Sequence, residues 1–260
     1  MNLTIDIGNS KIKLTTFQEN KICKSFNFDS LSQINSFSFE SIDKIICCSV
    51  NKSKKEIKDN RFVNLFKIKN DLYMLKEQIS PLETNEIPFY FLSQETPLPI
   101  STSYKTANTL GNDRIALAVV ANKLNPNINS LIIDCGTCIT YDFINKEGQH
   151  KGGGISPGLQ MRYDALNYYT KNLPHLSEKK HAPLIGETTK GSIISGVTNG
   201  IIEELNGIIY RYKSEFNQLK ILITGGDMDS FVKSIKNDIF ADPSLLAKGL
   251  NYILEYNAEK

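Results

Sequence analysis

The sequence predicts an α/β protein made of two similar halves, and the main observation is an internal repeat. A strand that ends in Asp-x-Gly and leads into a second alternating strand occurs twice, over residues 3–15 and 131–143. The two copies lie about 130 residues apart, close to half of the chain, which indicates a duplicated unit. Helical segments follow the strands in both halves. This order is typical of an α/β fold, in which helices pack on the face of a sheet. We therefore expect two βββ-plus-helix domains that face each other, residues 1–126 and 127–260.

The composition is that of a folded globular protein. Hydrophobic residues make up 40% and charged residues 22% of the chain, which excludes a disordered or collagen-like sequence. The 30 Lys and Arg against 28 Asp and Glu leave a formal charge of +2, too little for general electrostatic binding to nucleic acid. A lysine-rich span at residues 52–69 is interleaved with acidic residues, which favours a solvated face. We expect no nucleic-acid partner.

The cysteines and the hydropathy pattern favour a cytoplasmic protein. No run reaches the ~20 apolar residues of a membrane helix. The first residues also lack the basic region followed by an apolar region that is typical of a signal peptide, so we expect no membrane association. Cys23, Cys47 and Cys48 lie within or beside apolar runs, as buried free thiols do. Cys135 and Cys138 form a C-x-x-C without a second ligand pair or a nearby histidine. We expect them to be two core-facing thiols rather than a zinc or redox site.

The first half opens with a predicted β-hairpin. Residues 3–7 and 11–15 each alternate between apolar and polar side chains, and Gly8 with Asn9 forms a tight turn between them. A helix from Asn112 is strongly apolar and ends before Pro126. A third strand and a buried strand are expected between hairpin and helix, at residues 21–26 and 45–50.

The second half repeats the hairpin and then becomes rich in glycine. A glycine run at residues 152–158 leads into a helix that ends at Tyr169. A longer helix over residues 189–212 contains four glycines, so small residues on one face allow close packing there. A buried strand at 221–224 ends in a glycine turn. The last helix is expected to begin near residue 244.

At two places in this pattern a strand ends and a glycine-containing turn begins. We call these places corners, and both are suited to holding phosphate. Asp6 and Asp134 each end a strand and precede a glycine hairpin, where backbone N–H groups can hold a phosphate while the acid holds its metal ion. One Asp-x-Gly is also an ordinary turn. Two copies on equivalent strands favour a nucleotide whose phosphates lie in a cleft between the halves. The glycine corner at residues 224–227 suits an adenine and its ribose, with a structural turn as the alternative.

A further candidate site lies at the start of the apolar helix, in Gly111-Asn112-Asp113-Arg114. An acid in the first helical turn interacts well with the helix dipole, so a purely structural role is one interpretation. Arg114 is one of only four arginines, and this pairing suits an anionic substrate, with Arg114 for a carboxylate and Asp113 as base for a hydroxyl. Phosphoryl transfer depends more on positioning and charge neutralisation than on a strong base, so Asp113 is adequate.

In sequence order, these motifs resemble those of the type III pantothenate kinases, a family within the superfamily of acetate and sugar kinases, Hsp70 and actin. Six blocks match over essentially the whole chain, at residues 6–13, 111–114, 134–137, 152–158, 185–189 and 224–227. The resemblance implies duplicated ribonuclease H-like (actin-like ATPase) domains, each a mixed sheet with helices, across a nucleotide cleft. It also implies ATP-dependent phosphorylation of pantothenate to 4′-phosphopantothenate, the first step of coenzyme A biosynthesis.

The resemblance implies a role for each matching residue. Asp113 would accept the proton from the primary hydroxyl of pantothenate, which residues 111–114, Tyr104 and a Thr189 from the dimer mate would contact. Asp134 matches a monovalent-cation ligand, for K⁺ or NH₄⁺, and Asp6 would lie near Mg²⁺. The family acts as a homodimer with the substrate site near the interface. The residues implied to bind ATP are Asp6, Ile7, Gly8, Asn9, Ser10, Lys11, Ile12, Lys13 and Thr137.

Three positions depart from the family pattern. Ser10 replaces the usual threonine and keeps its hydroxyl, whereas Ala107 replaces a proline commonly found three residues after Tyr104 and so removes a rigid turn. Cys138 replaces a small residue and creates the C-x-x-C.

Two alternative functions stay open. One is another kinase or a phosphatase of the same superfamily, acting on a different hydroxy acid. The other is a regulatory protein of the same fold that binds a ligand without turnover. The intact Asp6, Asp113, Arg114 and Asp134 favour the enzyme, because a protein that only binds has no need of this acid pair.

Overall fold

The computed structural model describes residues 1–34, 41–50, 89–177 and 182–258. The chain forms two compact units, each assembled from separate stretches of sequence. The first comprises Met1–Pro99, Thr106–Val119 and Leu246–Lys260, and the second comprises Ile100–Lys105 and Val120–Leu245. The lysine-rich span at residues 52–69 lies outside the described residues, so its solvated character stays a prediction.

The first unit contains a mixed sheet. Its described strands are β1 (Asn2–Ile7), β2 (Ile12–Gln18), β3 (Lys21–Phe28), β4 (Lys44–Ser49) and β5 (Phe89–Phe91). They lie in the order β3-β2-β1-β4-β5. The first three strands form an antiparallel meander, β4 runs parallel to β1, and β5 runs parallel to β4. The predicted hairpin, third strand and buried strand are therefore confirmed.

The second unit contains a second mixed sheet. Its described strands are β6 (Ser101–Thr102), β7 (Ser130–Cys135), β8 (Cys138–Ile144), β9 (Gln149–Pro157), β10 (Lys220–Thr224) and β11 (Phe240–Ala241). They lie in the order β11-β10-β7-β8-β9-β6. Strands β7, β8 and β9 form an antiparallel meander, while β10 and β11 add in parallel beside β7.

The two sheets repeat one strand order. Each first strand, β1 or β7, has its hairpin partner on one side and a parallel strand on the other, so β3-β2-β1-β4-β5 recurs as β9-β8-β7-β10-β11. Strands β1 and β7 are both buried along most of their length, as expected of strands covered on both faces. The predicted duplication and the α/β fold with mixed sheets are confirmed.

Helices pack with the strands in both units. Those in the described part of the chain are α1 (Leu31–Ile34), α2 (Asn112–Leu124), α3 (Leu159–Tyr169), α4 (Thr189–Glu215) and α5 (Leu245–Ala258). Thr188 caps α4, because its hydroxyl accepts a hydrogen bond from the Gly191 backbone N–H at 3.0 Å. Helices α3 and α4 bury Tyr163, Ile201 and Leu205 in the core of the second unit. The four helices predicted from periodicity are confirmed.

The last helix packs within the first unit. A Cβ on Gly249 of α5 would overlap the backbone of Ala116 on α2, so the two helices touch there. Asn251 accepts a hydrogen bond from the Asn2 side chain at 2.8 Å. By these contacts Leu246–Lys260 groups with the first unit, and Ile100–Lys105 groups with the second through β6. The sequence division at residue 126 stays a prediction about the repeated halves.

One expectation about packing is wrong and another holds only in part. Cys23 is exposed, because β3 lies at the edge of its sheet and most of its side chains face solvent. Gly191 of α4 is closely packed, since a Cβ on Gly186 would overlap its backbone, whereas a Cβ at Gly196, Gly200 or Gly207 would meet nothing within 4 Å. These three glycines lie on an exposed face of α4. No helix among the described residues has the length and apolarity needed to cross a membrane.

Candidate active site

The first Asp-x-Gly corner forms the tight turn that the sequence predicts. The backbone N–H of Gly8 donates to the carbonyl of Lys11 at 3.0 Å, and Asn9, Ser10 and Lys11 are exposed at the tip. Lys11 Nζ lies 2.8 Å from Asp29 Oδ1. This turn therefore presents backbone and hydroxyl groups to solvent, in the manner of a phosphate-binding loop.

Two of the residues predicted to bind ATP at this corner have side chains that pack in the core instead. Ile7 and Ile12 pair across the hairpin and are 1% and 5% exposed, so their side chains belong to the core. Only their backbone is left to contact a ligand. Lys13 pairs with Asp6 across the strands and is partly buried. The alternation of the hairpin predicts this division between core and exposed positions.

Asp6 is a partly buried carboxyl group at the end of β1. Burial raises its pKa to about 7, because the charged form loses water. Lys13 lowers the pKa, and the negative charge of Asp113 raises it further. Asp6 and Asp113 thus lie within electrostatic reach of each other in the first unit. A cation bound between such carboxylates would stabilise both charges.

The Gly111–Arg114 motif forms the start of α2. Asp113 Oδ1 accepts a hydrogen bond from the Arg114 backbone N–H at 2.9 Å, which is the helix-terminus arrangement that the sequence predicts. A side chain at Gly111 would overlap the Asp113 carboxylate, so the glycine leaves room for it. Asn112 donates to the Leu92 carbonyl at 2.9 Å and ties the helix start to the loop before it. Arg114 is only 5% exposed.

The second corner, at the end of β7, is closely packed by glycine. The backbone N–H of Gly136 donates to the Cys138 carbonyl at 3.1 Å, and that of Gly158 donates to the Thr137 carbonyl at 3.1 Å. A Cβ on Gly158 would overlap the carbonyl oxygens of Gly136 and Thr137, so only glycine fits there. Thr137 itself is exposed and Asp134 is partly buried.

The third corner lies directly against the second. Gly225 has φ +104°, and a Cβ there would lie 2.5 Å from Asp134 Oδ1 and from the Cys135 backbone nitrogen. The Asp227 backbone N–H donates to the Cys135 carbonyl at 2.9 Å. A Cβ on Gly226 would meet nothing within 4 Å, so the turn is open on that side. The structure thus brings residues 134–137 and 224–227 together within the second unit.

Tyr104 lies in the second unit, on the chain that follows β6. It is partly buried, and its ring stacks against that of His150 with 6.2 Å between ring centroids. His150 was not singled out by sequence reasoning, and its only local signal is a position just before the glycine run of β9.

Thr189 begins α4 and borders a large cavity that the sequence did not predict. The cavity has a volume of about 1090 Å³ and lies between α3 and the start of α4. Arg162, Thr188, Thr189 and Ile193 are among its lining residues. Thr189 is exposed at this position.

Comparison with known proteins decides the family. The family model for type III pantothenate kinase matches residues 2–211. The chain belongs to the type III pantothenate kinase family. A type III pantothenate kinase of Phocaeicola vulgatus is 40% identical over 257 residues, with 99% of each chain covered.

Solved structures agree with this family in fold. A Campylobacter jejuni protein described as a Baf family transcriptional activator has a TM-score of 0.59 at 21% identity, covering 99% of this chain and 100% of that one. A protein of Sinorhizobium meliloti described as a 2-dehydro-3-deoxygalactonokinase has a TM-score of 0.54 at 11% identity, covering 99% of both chains. With the repeated strand order, they place this type III pantothenate kinase family member among the duplicated ribonuclease H-like, actin-like ATPase folds.

Burial raises the pKa of three thiols in this family member, those of Cys47, Cys48 and Cys135. All five cysteines are free. Burial raises the pKa of Cys135 to about 12, and the charge of Asp134 adds to the effect. Cys138 is only half-buried, with its sulfur 3.7 Å from that of Met161, so the expectation of two core-facing thiols is right for Cys135 alone. Across the described ranges no group of three or more His, Cys, Asp or Glu side chains is placed to hold a metal ion.

Proposed function

We propose that this chain transfers the γ-phosphoryl group of ATP to the primary hydroxyl of pantothenate, giving 4′-phosphopantothenate and ADP at the first step of coenzyme A biosynthesis. The observation that carries the proposal is the family match over residues 2–211. The two phosphate-type corners and the Asp113–Arg114 pair supply the groups that such a reaction needs.

Asp113 is the proposed base. Its carboxylate accepts the Arg114 N–H at the start of α2, where the helix dipole also stabilises negative charge. The acceptor hydroxyl loses its proton to this carboxylate as the phosphoryl group moves. Because the transition state is loose, orientation of the hydroxyl contributes more than the strength of the base. Arg114, Gly111 and Asn112 hold the pantothenate around it, with Tyr104 as a further contact.

ATP is proposed to bind at the glycine corners. The Gly8–Lys11 turn and Thr137 offer backbone N–H and hydroxyl groups to the phosphates. The open side of Gly226 admits the adenosine, since no neighbouring atom would meet a Cβ there. ATP contacts by Ile7 and Ile12 are limited to their backbone.

The carboxylates suit the two cations proposed. Asp6 is partly buried and its pKa is raised, so a Mg²⁺ bound near it would stabilise its charged form. Asp134 sits under the backbone of Gly225, and oxygen ligands of this kind suit K⁺ or NH₄⁺. The Mg²⁺ would neutralise negative charge on the phosphates. Each proposed cation would have one carboxylate ligand from the chain, Asp6 or Asp134. The remaining ligands would come from the nucleotide and from water.

A homodimer is proposed on the basis of apolar surface. Tyr168 and Tyr169 on α3 are 80% and 81% exposed, and Leu184, Ile185 and Tyr210 are also exposed. The rings of Tyr168 and Tyr169 lie 4.9 Å apart between centroids, and contiguous exposed apolar surface of this kind is typical of a protein interaction site. A second copy would cover them and bring Thr189 to its partner's substrate. A cytoplasmic location is proposed with the reaction, because ATP is supplied there.

The proposal is tested by ADP release from the purified protein with Mg²⁺ and K⁺. We expect release to depend on pantothenate and not on a panel of other hydroxy acids. Asp113→Asn should keep nucleotide binding by calorimetry and lose about 100-fold or more in turnover. Asp164→Asn, which changes an exposed carboxylate on α3, is the matched control and should keep full turnover.

The result has three informative alternatives. Absence of pantothenate-dependent ADP, beside an active control kinase, rejects the proposed reaction. Turnover with another hydroxy acid would assign a related kinase, and ligand binding without any product would assign a regulatory protein. Near-normal turnover of Asp113→Asn would reject Asp113 as the base.

A further inference from the structure

A histidine and a carboxylate pair in the interior of the second unit, and the proposed reaction does not use either of them. His150 on β9 and Asp142 on β8 are each 1% exposed, and His150 Nε2 lies 2.7 Å from Asp142 Oδ1. Apolar side chains of similar volume often stabilise a core as well as such a pair or better. A buried pair of this kind is therefore weak evidence of a purely stabilising role.

The other ring nitrogen of His150 connects the pair to the strand edge. His150 Nδ1 lies 3.3 Å from Thr102 Oγ1 on β6, and Thr102 Oγ1 accepts a hydrogen bond from the Tyr104 backbone N–H at 3.1 Å. In the tautomer with a proton on Nε2, His150 donates to Asp142 and accepts from Thr102. Asp142, His150 and Thr102 together form what we call the His150 network. It ends at the backbone of Tyr104.

The ring of Tyr104 is held by the same histidine. The two rings are stacked with 21° between their planes. Gly152, which has φ +98°, lies beside the tyrosine, and a Cβ there would be 3.2 Å from Tyr104 Cδ2. The backbone of Tyr104 is therefore linked to His150 through Thr102, and its ring lies against the His150 ring and beside Gly152.

We propose that His150 is a positioning residue for the acceptor: the His150 network fixes the ring of Tyr104, which contacts pantothenate. This inference rests on the proposed function, because it takes Tyr104 as an acceptor-binding side chain. His150 is buried and contacts no substrate itself. Its effect therefore appears in the binding of pantothenate rather than in phosphoryl transfer or in the binding of ATP.

Steady-state kinetics of a double-mutant cycle test the coupling. His150→Gln should raise the KM for pantothenate about 3- to 10-fold, the range expected when one aromatic contact is lost, and leave kcat and the KM for ATP nearly unchanged. In a Tyr104→Ala background the same substitution should have almost no further effect on the pantothenate KM, since the side chain that it positions is gone. Equal effects in both backgrounds would overturn the proposal.

A second variant covers the case in which His150→Gln does not fold. Thr102→Val removes the hydroxyl that joins the ring nitrogen to the Tyr104 backbone, at an exposed position on β6. It should raise the pantothenate KM in the wild-type background and not in Tyr104→Ala. The matched control is His175→Gln, which breaks an exposed His–Asp pair of 2.9 Å on the same unit and should leave every constant unchanged.

A measurement without substrate separates this inference from the reaction itself. The 11 tyrosines are labelled as 3-fluorotyrosine, and Tyr104→Phe assigns the ¹⁹F resonance of residue 104. His150→Gln or Thr102→Val should shift that resonance, whereas His175→Gln should not. A shifted resonance in a protein that does not phosphorylate pantothenate would reject the reaction and retain the contact. An unshifted resonance in an active kinase would reject the positioning role.

Discussion

At the end of β1, Asp6 is a carboxyl group whose charged form is less stable in the folded chain than in the unfolded chain. Burial raises its pKa from an ordinary 3.8 to about 7, with Asp113 adding to the effect. Ionisation therefore costs more in the folded chain than in the unfolded chain. Such costs are common where a site is arranged to receive a ligand of opposite charge.

The pH dependence of stability follows from the direction of this shift. Because the folded pKa lies above the unfolded value, the contribution of Asp6 is fully favourable below about pH 4 and is lost as the pH rises through 7. Asp6→Asn removes the ionisation. Without nucleotide or Mg²⁺, we expect this variant to exceed the wild type in free energy of unfolding by a few kcal/mol at pH 8 and to match it near pH 4.

Urea unfolding with chelator at the two pH values measures this difference. Asp164→Asn is the control, because its carboxylate is about half exposed and should give a small difference at either pH. An Asp6→Asn protein with the same pH profile as the wild type would contradict the assigned burial of Asp6.

At the residue scale, the sequence predicts the exposure and position of a residue correctly where these depend on its neighbours in the chain. The alternation of the hairpin correctly separates the exposed Asn9 and Ser10 from the strands, and the Asp113 position at a helix start follows from its neighbours. The exposure of Cys23 could not be predicted, because it depends on β3 lying at a sheet edge. His150 was missed for the same reason, since its partner is reached only by folding β8 against β9.

At the scale of elements, the turn after β10 is the contact that shapes the glycine corner at residues 134–137 in the second unit. Gly225 packs on Asp134 and Cys135, and its φ of +104° suits glycine. Gly226 follows it with open space around its Cα. The two adjacent glycines thus differ sharply in what a methyl group would meet.

This difference gives a matched pair of variants. We expect Gly225→Ala to lose about 2 kcal/mol or more of stability, through backbone strain and overlap with β7, and to weaken the proposed activation by K⁺ because Asp134 is displaced. Gly226→Ala should keep wild-type stability and the wild-type response to K⁺, and its KM for ATP reports whether adenosine approaches there. Thermal unfolding and activity titrated with KCl are the measurements. Equal stability of the two variants would contradict this account of the turn.

The elements themselves were largely predictable, whereas their partners were not. Periodicities of two and 3.6 residues identify the hairpins and the long helices from neighbouring residues alone. Short strands such as β5, β6 and β11 have too few residues for a period to be recognised. The pairing of β4 with β1 and of β10 with β7 depends on crossovers, which no local pattern specifies.

At the scale of the whole molecule, we expect one exposed face of α4 to bind a partner. The face of α4 that carries Gly196, Gly200 and Gly207 also carries Tyr210, which is 72% exposed. Small residues beside exposed aromatic groups favour the close approach of another surface. We expect this face to pack against a second copy of the chain.

Light scattering after size-exclusion chromatography tests the dimer. The wild type should elute with the mass of two chains, and Gly200→Glu should weaken association by about 100-fold or more, because an unpaired charge would be buried in the interface. Gln18→Glu makes the same charge change on the exposed end of β2 and should leave the dimer intact. A Gly200→Glu protein that remains dimeric would place the interface elsewhere.

The sequence alone determined the duplication, the main strands and helices, and the motifs that mark the family, because these are encoded in the order and spacing of neighbouring residues. Tertiary structure decided which residues meet. It placed Gly225 over Asp134, Asp113 within reach of Asp6, and His150 between Asp142 and Tyr104. Such contacts join residues far apart in the chain, and their energy depends on burial and packing that exist only after folding.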